Sequence, residues 1–261
     1  RETIALFGSS PIYSMPSFLM RKGINAKRIL SSFTLVVLAI TLSGCVYLRL
    51  LNFKNQLTDF ERNVTIEAPP GLSFSFNNPV VRGSDLTFVT NSKPTLTSSI
   101  ATDPNIELWT WRFEKQRAEP HHKSYSVNFQ TRLESGLLTN MIIDDPFVDL
   151  IGRNFILKMF HSVGDAKINT FRRSISASMD KGALDDVSCP TLAKIIDAMG
   201  KPTRTLETPN AQNQHIDCEY VFNFLNPKNQ KRAGQFKLIF KADPLHPETP
   251  VTGFKITGKG R

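Results

Sequence analysis

Three cysteines lead the residues of this sequence that could do chemistry. Cys45 follows the only long apolar run of the chain, and Cys189 and Cys218 lie in its C-terminal third. A cysteine can be acylated, can form a disulfide, or can act as a nucleophile when a nearby base favours the thiolate. His215 precedes Cys218 by three positions, but side chains with that offset point to opposite faces of a strand. The sequence therefore predicts no catalytic thiol.

Two pairs of adjacent polar residues are candidates for chemistry: His121 and His122 for metal binding, and Asp144 and Asp145 for acid–base catalysis. Neighbouring side chains such as His121 and His122 point apart on a strand, and no carboxylate or cysteine lies at ligand spacing, so we expect an exposed loop and no metal site. Asp144 and Asp145 precede Pro146, and we expect them to cap a helix, where negative charge meets the positive end of the helix dipole. The sequence has no Gly-x-Ser-x-Gly, His-Glu-x-x-His or dinucleotide-binding motif, which favours a protein that is not an enzyme and needs no cofactor.

Charge and aromatic residues narrow the class of partner. Of the net charge of +9, residues 1–44 contribute +4, and the +5 of the remainder is mild for a domain of this size. The sequence shows no cluster of basic residues interleaved with aromatics, so nucleic acid is not an expected partner. Trp109, Trp111 and Phe113 alternate along a predicted strand and share one face. Such residues can anchor an interface, but they are more often core, and we expect core here.

The N-terminal region has the pattern of a targeting segment. The chain begins with Arg1, and we expect residues 1–19 to be a non-native upstream extension. Residues 20–44 contain a basic stretch, then an apolar run over positions 30–42, then Ser43 and Gly44. A helix of that length spans about 20 Å, which is short of a bilayer core and typical of a signal peptide.

The stretch Leu42-Ser43-Gly44-Cys45 resembles the lipobox of bacterial lipoproteins. The resemblance implies that signal peptidase recognises Leu42, Ser43 and Gly44, that Cys45 is the lipidated first residue of the mature protein, and that acyl chains such as palmitate anchor it to a membrane. Because Val46 stands where an Asp signals inner-membrane retention, the expected location is the bacterial outer membrane, facing the periplasm. The alternative is an uncleaved inner-membrane anchor, since the apolar run continues to residue 51 with a break at Arg49.

If Cys45 carries lipid, Cys189 and Cys218 remain as an even pair in an oxidising compartment. Cys189 is expected at the start of a helix, and Cys218 on a strand beneath it. The two cysteines are either a disulfide or two buried free thiols, and the sequence leaves both open.

Hydrophobic periodicity predicts an α+β fold of antiparallel sheets with short packing helices. Residues 45–63 are interpreted as a tether, residues 64–145 as an N-terminal β-rich unit, and residues 146–261 as a C-terminal α+β unit. Period-two patterns predict strands, whereas residues 144–164 and 188–200 have helical patterns.

An internal repeat predicts two similar units in tandem. Residues 91–95 (Asn-Ser-Lys-Pro-Thr) parallel residues 199–203 (Met-Gly-Lys-Pro-Thr), and the strand patterns that follow match in the same order, 108–115 with 217–224 and 125–132 with 236–243. A helix ending in Gly-Lys-Pro-Thr, followed by three antiparallel strands and preceded by a lipobox, resembles the SmpA/OmlA (BamE) outer-membrane lipoproteins and the tandem-repeat β-lactamase inhibitor proteins that share their fold. The resemblance implies a non-catalytic module that binds other envelope proteins through sheet faces and loops.

These observations predict a membrane-anchored envelope lipoprotein with a protein-binding or structural role. The alternative is an envelope enzyme or small-ligand carrier with a pocket between the two units.

Overall fold

The computed structural model describes residues 46–67, 71–117, 124–169, 174–185, 187–207 and 215–260. The predictions on residues 1–45, including Leu42, Ser43, Gly44 and Cys45, and on His121-His122 lie outside the described residues. All described residues belong to one compact unit.

The first half of the described chain alternates helices, a hairpin and a four-stranded meander. Its elements are α1 (46–58), α2 (Phe60–Asn63), β1 (Val64–Glu67), β2 (Leu72–Phe76), α3 (Gly83–Thr90), β3 (Leu96–Ile100), β4 (Asp103–Lys115), β5 (Ser126–Glu134) and β6 (Leu137–Ile143).

The second half follows the same succession with one additional short helix. Its elements are α4 (Asp145–Ile151), α5 (Arg153–Gly164), β7 (Lys167–Asn169), β8 (Ser174–Met179), α6 (Lys181–Leu184), α7 (Leu192–Met199), β9 (Arg204–Glu207), β10 (Ile216–Leu225), β11 (Arg232–Ala242) and β12 (Gly253–Gly260). The helical pattern at 144–164 is divided at Gly152, whose φ of 93° is unfavourable for other residues. Helix α7 is capped by the hydroxyl of Thr191, which accepts from the Lys194 N–H. Cys189, expected at the start of this helix, lies two residues before that cap.

The strands form one 12-stranded sheet in which every pairing is antiparallel. The order is β1-β2-β6-β5-β4-β10-β11-β12-β8-β7, while β3 pairs with β4 and β9 pairs with β10 beside this path. This architecture confirms the predicted α+β class with antiparallel strands and short helices.

Each half of the sheet has the same strand order. The first half reads β1-β2-β6-β5-β4-β3 and the second reads β7-β8-β12-β11-β10-β9. Phe113 pairs with Val127 between β4 and β5, and Phe222 pairs with Phe236 between β10 and β11. With Phe113 and Phe222 in corresponding places, the register makes Phe236 the counterpart of Val127, whereas matching by sequence alone aligned Val127 with Leu238.

The two halves meet where β4 pairs with β10. Phe113 pairs with Phe224 and Lys115 pairs with Phe222, on either side of the pair Glu114 and Asn223. Because Phe113 corresponds to Phe222 and Lys115 to Phe224, each of the outer pairs maps onto the other when the halves are exchanged. The junction therefore has an approximate two-fold arrangement.

Helices cover one face of the sheet, which we call the core face. Trp111 is 4% exposed, and Tyr220, Phe222 and Phe224 are 0% exposed on this face. Trp109 and Phe113 are half-buried against the same core, so the expectation of a core role for these aromatics is confirmed. Gly83 in α3 lies so close that a Cβ there would be 2.7 Å from the Trp109 ring.

Residues 46–63, interpreted as a tether, form helices packed on the body. Phe53 of α1 contacts Phe76 with ring centroids 5.1 Å apart, and Leu57 and Phe60 are buried. The backbone at Leu57 and Thr58 lies against Gly164, leaving no room for a Cβ. Among the described helices, none is long and apolar enough to cross a membrane.

Candidate interaction surface

The face of the sheet opposite the helices is mainly polar, and we call it the open face. Since side chains alternate along a strand, it is formed by the residues between the core positions. Its aliphatic residues belong to none of the hydrophobic clusters of the core. Val221 is buried, Ile106, Leu108, Ile142 and Ile239 are half-buried, and Leu96 and Leu206 on the short strands β3 and β9 are exposed. Of the described aromatic side chains, those on β2, β4, β5, β10, β11 and β12 lie on the core face.

In the first half, the open face carries no excess of positive charge. Two ion pairs join neighbours along their own strands, Arg112 with Glu114 at 3.3 Å and Arg132 with Glu134 at 2.9 Å. The Asn140 amide donates to the hydroxyls of Ser73 and Ser75 at 2.7 and 2.8 Å. Charges and polar groups here are therefore satisfied largely within the protein.

In the second half, the open face carries four lysines on two neighbouring strands. Lys237 and Lys241 lie on β11, and Lys255 and Lys259 lie on β12. Lys237 pairs with Glu219 at 3.0 Å, and Lys241 approaches Asp180 at 3.5 Å. The sequence shows no basic cluster because these lysines are spread along the chain, and only the antiparallel pairing of β11 with β12 brings them together.

The two Lys-Pro-Thr elements, residues 93–95 and 201–203, each lie at a gap between two strand pairings along one edge of a long strand. β4 pairs with β3 and with β10 along the same edge, and β10 pairs with β9 and β4 in the same way. At each break, a threonine hydroxyl accepts a strand N–H: Thr95 from Arg112 at 3.1 Å and Thr203 from Val221 at 3.2 Å. In the gap between the two neighbouring strands no backbone carbonyl of the described residues faces this N–H, and the threonine hydroxyl serves as its acceptor instead. The repeated motif is thus a joint in the sheet.

Lys115 is a buried cation at the junction of the halves. It is 5% exposed, and its Nζ donates to the carbonyls of Met199 and Lys201 at 2.6 Å each, at the end of α7. Its Nζ also lies 5.2 Å from the centre of the Tyr220 ring. The negative end of the helix dipole and the ring face both favour a cation there. Burial lowers the pKa of Lys115.

A groove of about 530 Å³ lies between the loop after α3 and the turn between β10 and β11. Lys93 and Lys228 line it, together with Thr87, Ser92, Pro94, Thr95, Leu96, Thr97, Asn226 and Pro227. Its lining holds no carboxylate, histidine or cysteine, so it contains no acid–base pair.

The two C-terminal cysteines are free thiols, so the structure does not contain the disulfide that the sequence left open. Cys218 is buried opposite Phe240, and the Cys189 thiol lies 3.5 Å from the Val187 carbonyl oxygen. Burial, with a contribution from Asp217, raises the pKa of Cys218 to about 11, and burial raises the pKa of Cys189. Both thiols are protonated at neutral pH and are poor nucleophiles.

The acidic pair before α4 serves the backbone and a neighbouring amide. Asp144 occupies the N-cap position, as expected, but its Oδ2 accepts from Asn128 at 2.9 Å and makes no capping bond. Asp145 accepts from the Gly71 N–H at 2.7 Å. Burial raises the pKa of Asp144, and burial and this carboxyl raise the pKa of Tyr125 to about 12. The described residues contain no group of three metal-ligating side chains.

No protein-family model, curated protein or solved structure matches the chain significantly. The function is therefore argued from its own residues and geometry.

Proposed function

We propose that this protein is an envelope lipoprotein, lipidated at Cys45, that binds another envelope protein through its open face without catalysing a reaction. One observation carries the binding role: in the part of the chain that the structure describes, no helix lies over the open face of the 12-stranded sheet. Sheets with one uncovered face are ordinary, but a face with this many strands is far larger than packing requires.

The lipobox resemblance supports lipid anchoring at Cys45. The described residues that follow Cys45 indicate how a lipid there would be connected to the body of the protein. The described chain is helical from residue 46, directly after Cys45. The Arg49 guanidinium binds the buried Asp85 carboxylate through two contacts of 2.6 and 2.7 Å, which fixes α1 to the start of α3. A lipid on Cys45 would then hold the body against the bilayer without a flexible linker, at the periplasmic side of the outer membrane in our proposal.

The groove between the halves supports a second candidate, a carrier of a small ligand. Both halves line it, and its cations and hydroxyls suit an anionic molecule. It suits binding better than catalysis, because its lining offers no general base to activate a nucleophile.

Labelling with radioactive palmitate tests the anchor. We expect cells that produce the full chain to incorporate label, the Cys45→Ala variant to lose it, and the Cys189→Ala variant to keep it. Equal labelling of the Cys45→Ala variant would refute lipidation at Cys45. Membrane fractionation then separates outer-membrane from inner-membrane residence, and recovery in the inner membrane with an unprocessed mass would favour the uncleaved anchor.

Site-specific photocrosslinking tests the binding role. A photoreactive residue at Thr110, on the open face, should give a discrete protein adduct in cells, whereas one at the exposed Lys158 of α5 should not. Adducts of equal yield from both positions would argue against the open face as the binding surface.

A further inference from the structure

The register of β11 and β12 gathers four lysines into one patch. Lys255 lies opposite Ile239, so Lys237 and Lys241 are its diagonal neighbours, and Lys259 lies opposite Gln235. Diagonal neighbours on one face of an antiparallel pair are about 7–8 Å apart, which is close enough for like charges to repel. Repulsion among these lysines therefore lowers the stability of the sheet wherever no acidic group lies near them.

The two β12 lysines are the unneutralised part of the patch. The β11 lysines have Glu219 and Asp180 near them, but the described residues provide no acidic partner for Lys255 or Lys259. Both lysines are exposed. On the other side, β8 places three hydroxyls beside them, since Ser178 pairs with Lys255 and Ser174 pairs with Lys259, with Ser176 between. We call Lys255, Lys259 and these three serines the basic stripe.

The first half of the sheet shows that the fold itself does not demand these charges. The positions that correspond to Lys237 and Lys241 are Asn128 and Arg132, and β6 has Ile142 opposite Gln130 where β12 has Lys255 opposite Ile239. In that half, each arginine of the open face has a glutamate two positions away. The excess of positive charge is a property of the second half alone.

The surroundings of the stripe narrow the class of partner. Binding sites for single-stranded nucleic acid stack bases on exposed aromatic rings, and the described strands carry their aromatic rings on the core face. Insertion into a membrane would require exposed apolar side chains beside the stripe, whereas Ile239 is half-buried and has charged neighbours. A small apolar spot within a charged rim is the anatomy of a protein interface.

We infer that the basic stripe docks the acidic surface of a partner protein, with carboxylates that contact Lys255, Lys259 and the β8 hydroxyls. This inference rests on the proposed binding role of the open face and names the chemistry of the partner. Carboxylates can accept from both the ammonium groups and the hydroxyls, so one acidic segment satisfies the whole stripe.

Binding of fluorescent poly-L-glutamate to the purified full chain, measured by anisotropy at about 0.1 M salt, tests the inference. We expect the K255E/K259E variant to bind at least about tenfold more weakly, because reversal replaces two attractions by two repulsions. The matched control is R112E/R132E, which changes the net charge equally on the other half of the open face and should bind within about twofold of wild type. The milder K255Q/K259Q variant should show an intermediate loss, and urea unfolding checks that all variants fold.

Three results would overturn the inference: no binding of poly-L-glutamate by wild type, equal losses in the two reversal variants, or heparin or single-stranded DNA binding tenfold tighter through the same lysines. Photocrosslinking separates this inference from the proposed function. An adduct from Thr257 that K255E/K259E abolishes supports both. An adduct from Thr110 with none from Thr257 overturns only the acidic-partner inference, and no adduct from either position overturns both.

Discussion

The ion pair between Arg49 and Asp85 should be the strongest single attachment of α1 to the body. The Asp85 side chain is 0% exposed, the Arg49 side chain is 25% exposed, and the carboxylate also accepts from the Arg82 N–H at 2.9 Å. In the Arg49→Met variant, a fully buried carboxylate keeps only that backbone donor, and the expected loss of stability is about 3–4 kcal/mol. In the Asp85→Asn variant, the guanidinium can turn to water and the amide oxygen can still cap α3, so we expect a loss of about 1–2 kcal/mol.

The double variant makes this reasoning falsifiable. Because R49M/D85N buries no charge, it should be more stable than R49M alone, although it carries an additional substitution. Urea unfolding followed by the fluorescence of the partly buried tryptophans measures all three variants. With a slope of about 2 kcal/mol per M, R49M should lower the midpoint by about 1.5–2 M. Additive losses in the double variant, or a D85N loss larger than that of R49M, would refute a buried, coupled ion pair.

Four further substitutions test contacts that join the elements of the fold. Thr203→Val should lower the free energy of unfolding by about 1–3 kcal/mol, because the Val221 N–H loses its acceptor and the Gln116 carbonyl loses its donor. Thr95→Val removes one exposed hydrogen bond and should cost less than about 1 kcal/mol. Urea unfolding of both variants measures the two losses. Gly164→Ala should cost about 1–3 kcal/mol and lower the thermal midpoint, because its Cβ would lie 2.7 Å from a backbone nitrogen of α1. For Lys115, burial lowers the pKa in the folded state below the ordinary 10.5. Between the lowered pKa and 10.5 the unfolded chain binds more protons than the folded chain, so the stability of wild type relative to Lys115→Met should rise with pH there. A stability difference between the two proteins that stays constant from pH 8 to 10.5 would contradict this.

Local patterns predicted the elements of this fold well. Alternating apolar residues at β4, β5 and β10–β12, and the helix that ends at Gly200, follow from side-chain periodicity and from the positive φ that glycine tolerates. The Lys-Pro-Thr repeat was also visible, although its role was not. A sequence shows where a helix stops, but it does not show that Thr95 and Thr203 supply acceptors at breaks between neighbouring ladders.

Long-range pairings could not be predicted from the sequence. Arg49 was interpreted as an interruption of an apolar run, and its partner Asp85 lies on another helix. The lysines of β11 and β12 become a patch only through strand register. Pairing of β4 with β10 over a short ladder makes one sheet of two halves, and its specificity comes from tertiary packing.

The two halves share their strand order and the register of corresponding strands, but corresponding positions differ in their side-chain partners. Lys115 and Phe224 occupy corresponding places about the junction, yet Phe224 packs on Trp111 while Lys115 binds the end of α7. At the end of α3, the Thr90 hydroxyl binds the Leu86 and Ser92 carbonyls instead. Such changes keep the backbone and alter only side-chain partners. The basic stripe is a difference of the same kind for which the described residues provide no acidic partner, so its cost in repulsion is best explained by a contact that the second half makes and the first does not.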